Sequence, residues 1–374
     1  MMNNSPKNAI NTEPLKLIIS HLHPVLPLKN EIIASISFVF RPLICTFAPV
    51  NEELRIEIIE RSELLPPMEN RHFFHGREYF CILEKTRGQK PYMVVARRGD
   101  RIVAHLLASL RRRGSLIPPY LFTQGRIYGE GEYVDGEDRE LLFSMMLEAI
   151  TRKLQRKICL YIEFSNLSQK MFGYKYFRQQ GYFPVHWMEV HNSLHSREPE
   201  ERLNENMIQR IERIGEAGVE VSVVEDFSQF RDFHRMLYRF FSLKVRRYLP
   251  PERLFAELLK SRQARLFCTR HHGQTIGGCA CVYDDENAYL WYIASKSKSH
   301  PKLHPETATV WAAIQDAHER HYRHFRFMDV GLPFRHNRYR DFILSFGGKE
   351  VSTYRWFRFS LSWLNRVIGW FYRE

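Results

Sequence analysis

Two stretches of this chain spell the same small structure, and that repetition limits its fold more than any other feature. Pro91-Tyr-Met-Val-Val-Ala-Arg-Arg-Gly99-Asp-Arg-Ile102-Val-Ala104 reads as strand, tight turn, strand. Ala264-Arg-Leu-Phe-Cys-Thr-Arg-His-His-Gly273-Gln-Thr-Ile276-Gly-Gly278 reads the same way. Gly99 aligns with Gly273 and Ile102 with Ile276, a spacing of roughly 170 residues, too long for a solenoid repeat and right for a duplicated domain. Each hairpin turns on a glycine able to take positive φ between β-prone flanks.

The segments beyond the two hairpins match as well. In the first copy, strand Gly125-Arg-Ile-Tyr128 leads through Gly129-Glu-Gly-Glu-Tyr133 to a helix from about Asp138 to Leu154. Leu141, Leu142, Met145, Ile150 and Leu154 form its apolar face. Strand Ile158–Phe164 closes the unit. In the second copy, strand Ala288–Ala294 runs into Ser295-Lys-Ser-Lys-Ser-His300, then a helix from about Pro305 to His321 and strand Phe325–Val330. Each unit ends with a short aromatic helix, at Tyr174–Phe177 and Tyr339–Phe342, then a glycine and a final strand. This order predicts an α/β (α+β) protein of two tandem domains, each a mixed, mostly antiparallel sheet with helices on both faces. The joint falls near His195–Glu200, giving an extension at 1–49, a first domain at 50–197 and a second at 198–374.

With 374 residues, 44% apolar and 14% aromatic, the chain can pack two cores. The net charge of +13 suits phosphate-bearing partners such as nucleic acid, nucleotide-type cofactors or an anionic membrane, and equally a basic protein with none of them. Its six cysteines make no C-x-x-C pair and sit mostly in apolar runs, as small buried side chains do in a reducing compartment; no metal site is expected. The run Ile32–Phe40 is too short to span a bilayer, so no export or membrane-spanning signal is expected.

Three stretches of the second copy resemble a known family. These are helix Gln209–Val221, helix His304-Pro-Glu-Thr-Ala-Thr-Val-Trp311–Ala317, and Phe327-Met-Asp329-Val-Gly331 followed by Phe342-Ile-Leu-Ser-Phe-Gly-Gly348. With the duplicated order they resemble the GNAT superfamily of N-acyltransferases, and more narrowly its two-domain Fem branch, whose members transfer aminoacyl groups in building peptidoglycan cross-bridges. The resemblance covers about residues 200 to 360 well and the first copy in outline. Ile343 replaces the lysine usual in the last motif, and no long basic coiled-coil insertion is present for tRNA contact. Both departures favour an acyl-CoA donor over aminoacyl-tRNA.

Such a fold implies two sheet strands splayed apart for the donor's pantetheine, with its phosphates at the next helix N-terminus. Here the donor segment is Ala294, Ser295, Lys296, Lys298, His300 and Lys302, alternatively a solvated basic loop. The Arg/Gln-x-x-Gly-x-Gly signature of acetyl-CoA users is missing from it. Asp329 at a strand end is placed to orient or deprotonate an amine, or else caps the loop before Gly331. Tyr339 stands where many GNAT enzymes keep a tyrosine that protonates the leaving thiolate, or is a core aromatic beside Phe342. Trp291 and Tyr292 alternate, so one should face substrate and the other the opposite layer. Tyr128, Glu130 and Glu132, with Glu163 and Asn166 from the next strand, form a surface for a cationic amine or an acidic turn. Lys170, Tyr174 and Arg178 make a helical stripe for an anionic group, or a solvated face.

The sequence thus points to an N-acyltransferase moving an acyl group from acyl-CoA to a small-molecule or lipid-linked amine. Aminoacyl-tRNA-dependent transfer to a cell-wall precursor and an inactive tandem ligand-binding protein are the alternatives. The expected location is the cytoplasm. At the C-terminus Trp363, Val367, Trp370 and Phe371 share one face of a helix with basic flanks, fit for the inner membrane surface, for docking on its own domain, or for a second subunit.

Overall fold

The computed structural model describes residues 53–114, 120–157, 159–242, 248–334 and 336–372. The extension at 1–49, with its apolar run at 32–40, lies outside them. From Glu53 onward the chain forms one unit, built on one mixed sheet of thirteen strands.

The first copy supplies β1 (Leu54–Ile59), β2 (Gln89–Arg98), β3 (Arg101–Gly114), β4 (Leu121–Tyr128), β5 (Glu132–Tyr133), β6 (Tyr161–Ser165) and β7 (Phe183–Ser193). Its helices are α1 (Arg77–Lys85), α2 (Arg139–Arg156) and α3 (Tyr174–Gln179). The second copy supplies β8 (Val219–Val223), β9 (Ala264–His271), β10 (Gln274–Tyr283), β11 (Asn287–Ser295), β12 (His324–Gly331) and β13 (Lys349–Phe359). Its helices are α4 (Glu205–Glu216), α5 (Phe227–Ser242), α6 (Glu252–Leu258), α7 (Pro305–Glu319), α8 (Arg338–Leu344) and α9 (Ser362–Phe371).

The strand order is β1-β2-β3-β4-β6-β13-β7-β12-β11-β10-β9-β8, with β5 paired to β3. It reads alike from either end, so a pseudo-twofold axis passes between β13 and β7. Each copy gives its last strand to the other: β13 lies against β6 of the first copy, and β7 against β12 of the second. The β2–β3 and β9–β10 hairpins occupy equivalent places, with one correction to the sequence alignment. The registers Arg98↔Arg101 and His271↔Gln274 match Gly99 to His272, one residue short of Gly273. Gly99 (φ 59°) and His272 (φ 47°) both take the left-handed conformation, and the register slips past Val103 in one hairpin and Ile276 in the other.

Alternation along the strands divides the interior. Met93, Val95 and Leu107 of the first copy and Leu266, Cys268, Ala280 and Val282 of the second join one core shared by both copies, closed by α1, α5 and α6. The opposite faces belong to separate cores. Tyr92, Val94 and Leu106 pack under α2, and Phe267, Cys279 and Cys281 under α7. Helix α2 departs from its expected face at Leu141, which is exposed, and at Met145, which is half-buried; Leu142, Phe143, Met146 and Leu147 are buried instead.

A shared core and exchanged strands make the copies thermodynamically inseparable. Trp356 of β13 is fully buried in the first copy's core, its ring stacked 4.6 Å from that of Phe177. Trp356→Ala is expected to cost about 3–5 kcal/mol, lowering the melting temperature while calorimetry still shows one transition. Two separable transitions would contradict the shared core.

Candidate active site

Near the pseudo-twofold axis, one face of the sheet floors a cavity of about 350 Å³ between the copies. Alternation on β3 sends Arg111 and Arg113 toward it, and on β4 it sends Arg126 and Tyr128. Glu163 comes from β6, Arg355 and Phe357 from the exchanged strand β13, and Trp187 from β7. Trp291 and Tyr292 of β11, Asp329 of β12 and Tyr339 of α8 complete the second copy's wall, with Phe241 and Tyr248 opposite.

Trp291 and Tyr292 both face the cavity, against the alternation expected. Ala280 of β10 pairs with Tyr292 and Cys281 with Leu290, so Trp291 is the extra residue of a β-bulge and the period of two breaks there. The bulge sits where β11 and β12 part. Their parallel pairing ends at Leu290↔Phe327, whereas the equivalent pair β4 and β6 stays joined to its end at Tyr128↔Ser165. One copy therefore has an open cleft in its sheet, and the other is closed.

Four arginines meet two carboxylates in the cavity. The buried Glu163 is ion-paired with Arg126 and, at 3.4 Å, with Arg355, and it accepts a hydrogen bond from Gln124 Nε2 at 2.6 Å. Arg355 also reaches Asp329 at 3.3 Å and lies 4.0 Å from the centre of the Trp187 ring. Asp329 is 68% exposed, at the cavity mouth. Arg111 donates to Gln124 Oε1 at 3.0 Å and stacks 4.6 Å over Tyr248.

Tyr128 is the group whose chemistry these charges change most. Its ring is buried against Phe74 at 4.5 Å and under the Arg126 guanidinium at 4.4 Å, and its oxygen accepts from Trp291 Nε1 at 3.4 Å. Burial alone raises a phenol's pKa, but Arg126, Arg111 and the indole N–H outweigh it and bring Tyr128 down to about 8. Tyr79 and Tyr292 nearby move the other way, their pKa values raised by burial. Arg126 falls to about 10, through burial and then the repulsion of Arg355 and Arg111.

Of the residues singled out from the sequence, Tyr128, Glu163, Trp291, Tyr292, Asp329 and Tyr339 meet in this cavity. Others serve elsewhere. Glu130 is buried and held by the Ser168 N–H at 3.0 Å, the Ser168 hydroxyl and Arg139, which leaves it no reach to an amine in this cavity. Glu132 accepts from the backbone N–H groups of Arg71 and His72. Asn166 takes a left-handed turn (φ 59°) past β6 and accepts from Ser165 Oγ. Lys170, Tyr174 and Arg178 do not form a helical stripe, because Gly173 (φ 62°) begins α3 and leaves Lys170 outside it. Lys170 instead covers the Tyr354 ring, and Tyr174 packs on Trp356. Ala294 and Ser295 are buried at the end of β11. Beyond them Lys296 donates to the Thr275 carbonyl at 2.7 Å, His300 is half-buried, and Lys298 and Lys302 are exposed before α7. A larger cleft of about 850 Å³, lined by Glu132, His105 and Arg139 among others, lies in the first copy.

Sequence reasoning missed Arg111, Arg113, Arg126, Trp187, Tyr248 and Arg355. A signal existed for three of them: Arg111 and Arg113 alternate in a run of arginines, and Arg126 stands two residues before Tyr128 on one face. Nothing local announces Arg355 or Trp187, which the strand exchange delivers.

Residues 202–339 match the family model described as an acetyltransferase (GNAT) domain. This stretch of the chain is a GNAT-type acyltransferase domain. It runs from before α4 into α8 and so contains the parted strands, Trp291, Tyr292, Asp329, Tyr339 and the lysine loop. The fold is similar to the crystal structure of FemX, at TM-score 0.56 and 10% identity over 81% of this chain and 100% of that one. It is also similar to a tandem GNAT protein from the clavulanic acid biosynthesis pathway, at TM-score 0.50 and 10% identity over 82% and 99%. At such identities the likeness is one of fold. Comparison with curated proteins gave no match.

The charges around Tyr128 are measurable directly. Phenolate absorbance in the wild type is expected to show one tyrosine ionising near pH 8, about two units below a free phenol. Tyr128→Phe should remove that step, and Arg111→Met should move it upward, because a lost cation disfavours the phenolate. A wild-type titration with no phenolate below about pH 9 would contradict the electrostatic description.

Proposed function

We propose that the protein is an N-acyltransferase that takes an acyl group from a coenzyme A thioester held by the second copy and gives it to an amine in the central cavity. The observation that carries this reading is the parting of β11 from β12 beyond Leu290↔Phe327. A pantetheine chain bears amides, and the strand edge from Trp291 to Ser295 offers it partners of the kind a sheet uses. Lying there, the donor has its thioester at the cavity and its phosphates toward Lys298, His300 and Lys302 before α7.

In the reaction the amine nitrogen attacks the thioester carbonyl, the C–S bond breaks, and the proton lost by nitrogen ends on sulfur. Tyr128 is suited to supply the thiolate's proton, because a phenol near pKa 8 is still largely protonated at pH 7 yet gives up its proton readily. Asp329, at the mouth, is placed to receive the amine as its ammonium form and to take its proton. Tyr339 shapes the wall beside it. Arg111, whose hydrogen bond goes to a neutral amide, is available to an anionic group on the substrate.

The acceptor is a small-molecule or lipid-linked amine, and α9 provides a way to meet the second kind at a membrane surface. Among the described residues no helix is long and apolar enough to cross a membrane. The five cysteines among the described residues are unbonded and four of them are buried, which fits a cytoplasmic protein. The fold shared with FemX favours a second reading, aminoacyl transfer from tRNA, which uses the same cavity with a different donor.

Free-thiol release from acyl-CoA in the presence of amines tests the first reading, with aminoacyl-tRNA as the parallel donor. Tyr128→Phe is expected to lower kcat by roughly 10²–10⁴-fold with little change in donor KM. Replacing Lys298, His300 and Lys302 together by Ala should raise donor KM and flatten its salt dependence. Turnover only with aminoacyl-tRNA would replace the first reading by the second. Coenzyme A binding without turnover of any donor would make the chain a ligand-binding protein.

A further inference from the structure

Helix α9 lies on the sheet by one side only. Asn365 anchors it, accepting from the Phe359 N–H and donating to the Gly181 carbonyl, both at 2.9 Å. Gly369 lets it approach Phe183, and Leu364 and Ile368 are half-buried beside them. The other side points outward: Trp363 is 61% exposed, Val367 48%, Trp370 64% and Phe371 71%. Four large apolar side chains on one exposed arc form a patch that a soluble surface does not need.

The charge around that patch is of one sign. α9 sits at the sheet end where Leu121 of β4, also exposed, Tyr161 of β6, Phe359 of β13 and Phe183 of β7 meet. Arg111, Arg112, Arg113, Lys157, Arg358 and Arg366 stand at this end. The described residues of the segments that build it, 111–114, 120–124, 157–162, 180–185 and 356–372, include no aspartate or glutamate. The equivalent end of the second copy, between β10 and β11, reads Asp284-Asp285-Glu286. Apolar aromatics amid cations alone complement an anionic lipid surface, where tryptophan rings lie at headgroup depth and arginines meet phosphates.

The patch is also continuous with the cavity. Phe357 lines the cavity and lies 6.2 Å from Phe183, whose ring is stacked with those of Phe359 and Tyr372. Arg113, on the cavity's opposite wall, stands next to Gly114 at the end of β3.

We propose that α9 and the surrounding basic end of the sheet dock on an anionic lipid surface, with the mouth of the central cavity turned toward it. The docking stands on its own observations; that it delivers a substrate rests on reading the cavity as the active site. A lipid-borne substrate then reaches Arg111 and Tyr128 along the aromatic floor under α9, without leaving the surface.

The test is co-sedimentation of the full chain with vesicles of phosphatidylglycerol and phosphatidylcholine, beside vesicles of phosphatidylcholine alone. Binding is expected to the anionic vesicles only, weakened by about 0.5 M salt and reduced about tenfold or more by Trp363→Ser with Trp370→Ser. Arg366→Glu should act in the same direction. The double variant should keep the wild-type melting temperature and its activity on a water-soluble donor and amine, since neither tryptophan touches the cavity. Wild-type protein left in the supernatant at low salt would overturn the proposal. So would a double variant that binds as well as wild type, or a wild-type dimer that the double variant dissociates while vesicles are ignored. Vesicle binding by a protein inactive with every donor would leave the docking standing and remove the acyltransferase reading.

Discussion

Glu163 lies between two guanidinium groups that come from different copies of the same fold. Arg126 is its neighbour across β4 and β6, while Arg355 arrives on β13, the last strand of the second copy. All three are buried. A carboxylate so placed is tolerable only with cations beside it, because without them it is an uncompensated charge in a medium that solvates it poorly. The strand exchange and the charge cluster therefore need each other. Without β13 between β6 and β7 there is no second cation, and without Glu163 two arginines face each other across the sheet. The cavity, the lowered pKa of Tyr128 and the position of Asp329 all rest on that arrangement.

The two copies show how one fold is put to two uses. The registers make Tyr128 the counterpart of Trp291, since Ala108 pairs with Ile127 as Cys281 pairs with Leu290. These counterparts touch, the indole donating to the phenol. Yet only the second copy carries a bulge at that point and an opening beyond it. In the first copy β4 and β6 remain paired, the Gly129 N–H adds a bond to the Ser165 carbonyl, and the following loop is acidic where its counterpart holds lysines. On the proposed function, the division of labour between a donor-holding copy and a charge-supplying copy arises from that difference of a few backbone bonds.

Much of the fold was legible because its signals are local. A hairpin declares itself by a glycine between β-branched runs, a helix by its period, and a duplication by the recurrence of both. The match of Gly99 to Gly273 was one residue out because positive φ, which glycine favours, is taken in the second hairpin by His272 as well. The candidate site was legible in half. Tyr128, Glu163, Asp329, Tyr339 and the Trp291-Tyr292 pair lie on strands or helices whose places the pattern fixes. Arg355 and Trp187 were not, since only pairing across more than a hundred and fifty residues brings β13 beside β6. The facing of Tyr292 was hidden too, because a bulge is a one-residue event that alternation cannot announce. Glu130 misled for the opposite reason: its sequence neighbourhood suggests an open acidic turn, while Ser168, 38 residues on, encloses it.

The central claim is that the second copy alone holds the donor, in the opening between β11 and β12. A crystal structure of the chain with a non-hydrolysable acyl-CoA analogue tests it most directly. The account predicts pantetheine paired with the Trp291–Ser295 edge, the sulfur beside the Tyr128 hydroxyl, and the phosphates before α7. An analogue found instead between β4 and β6, or in the first copy's cleft beside Glu132 and His105, would contradict it.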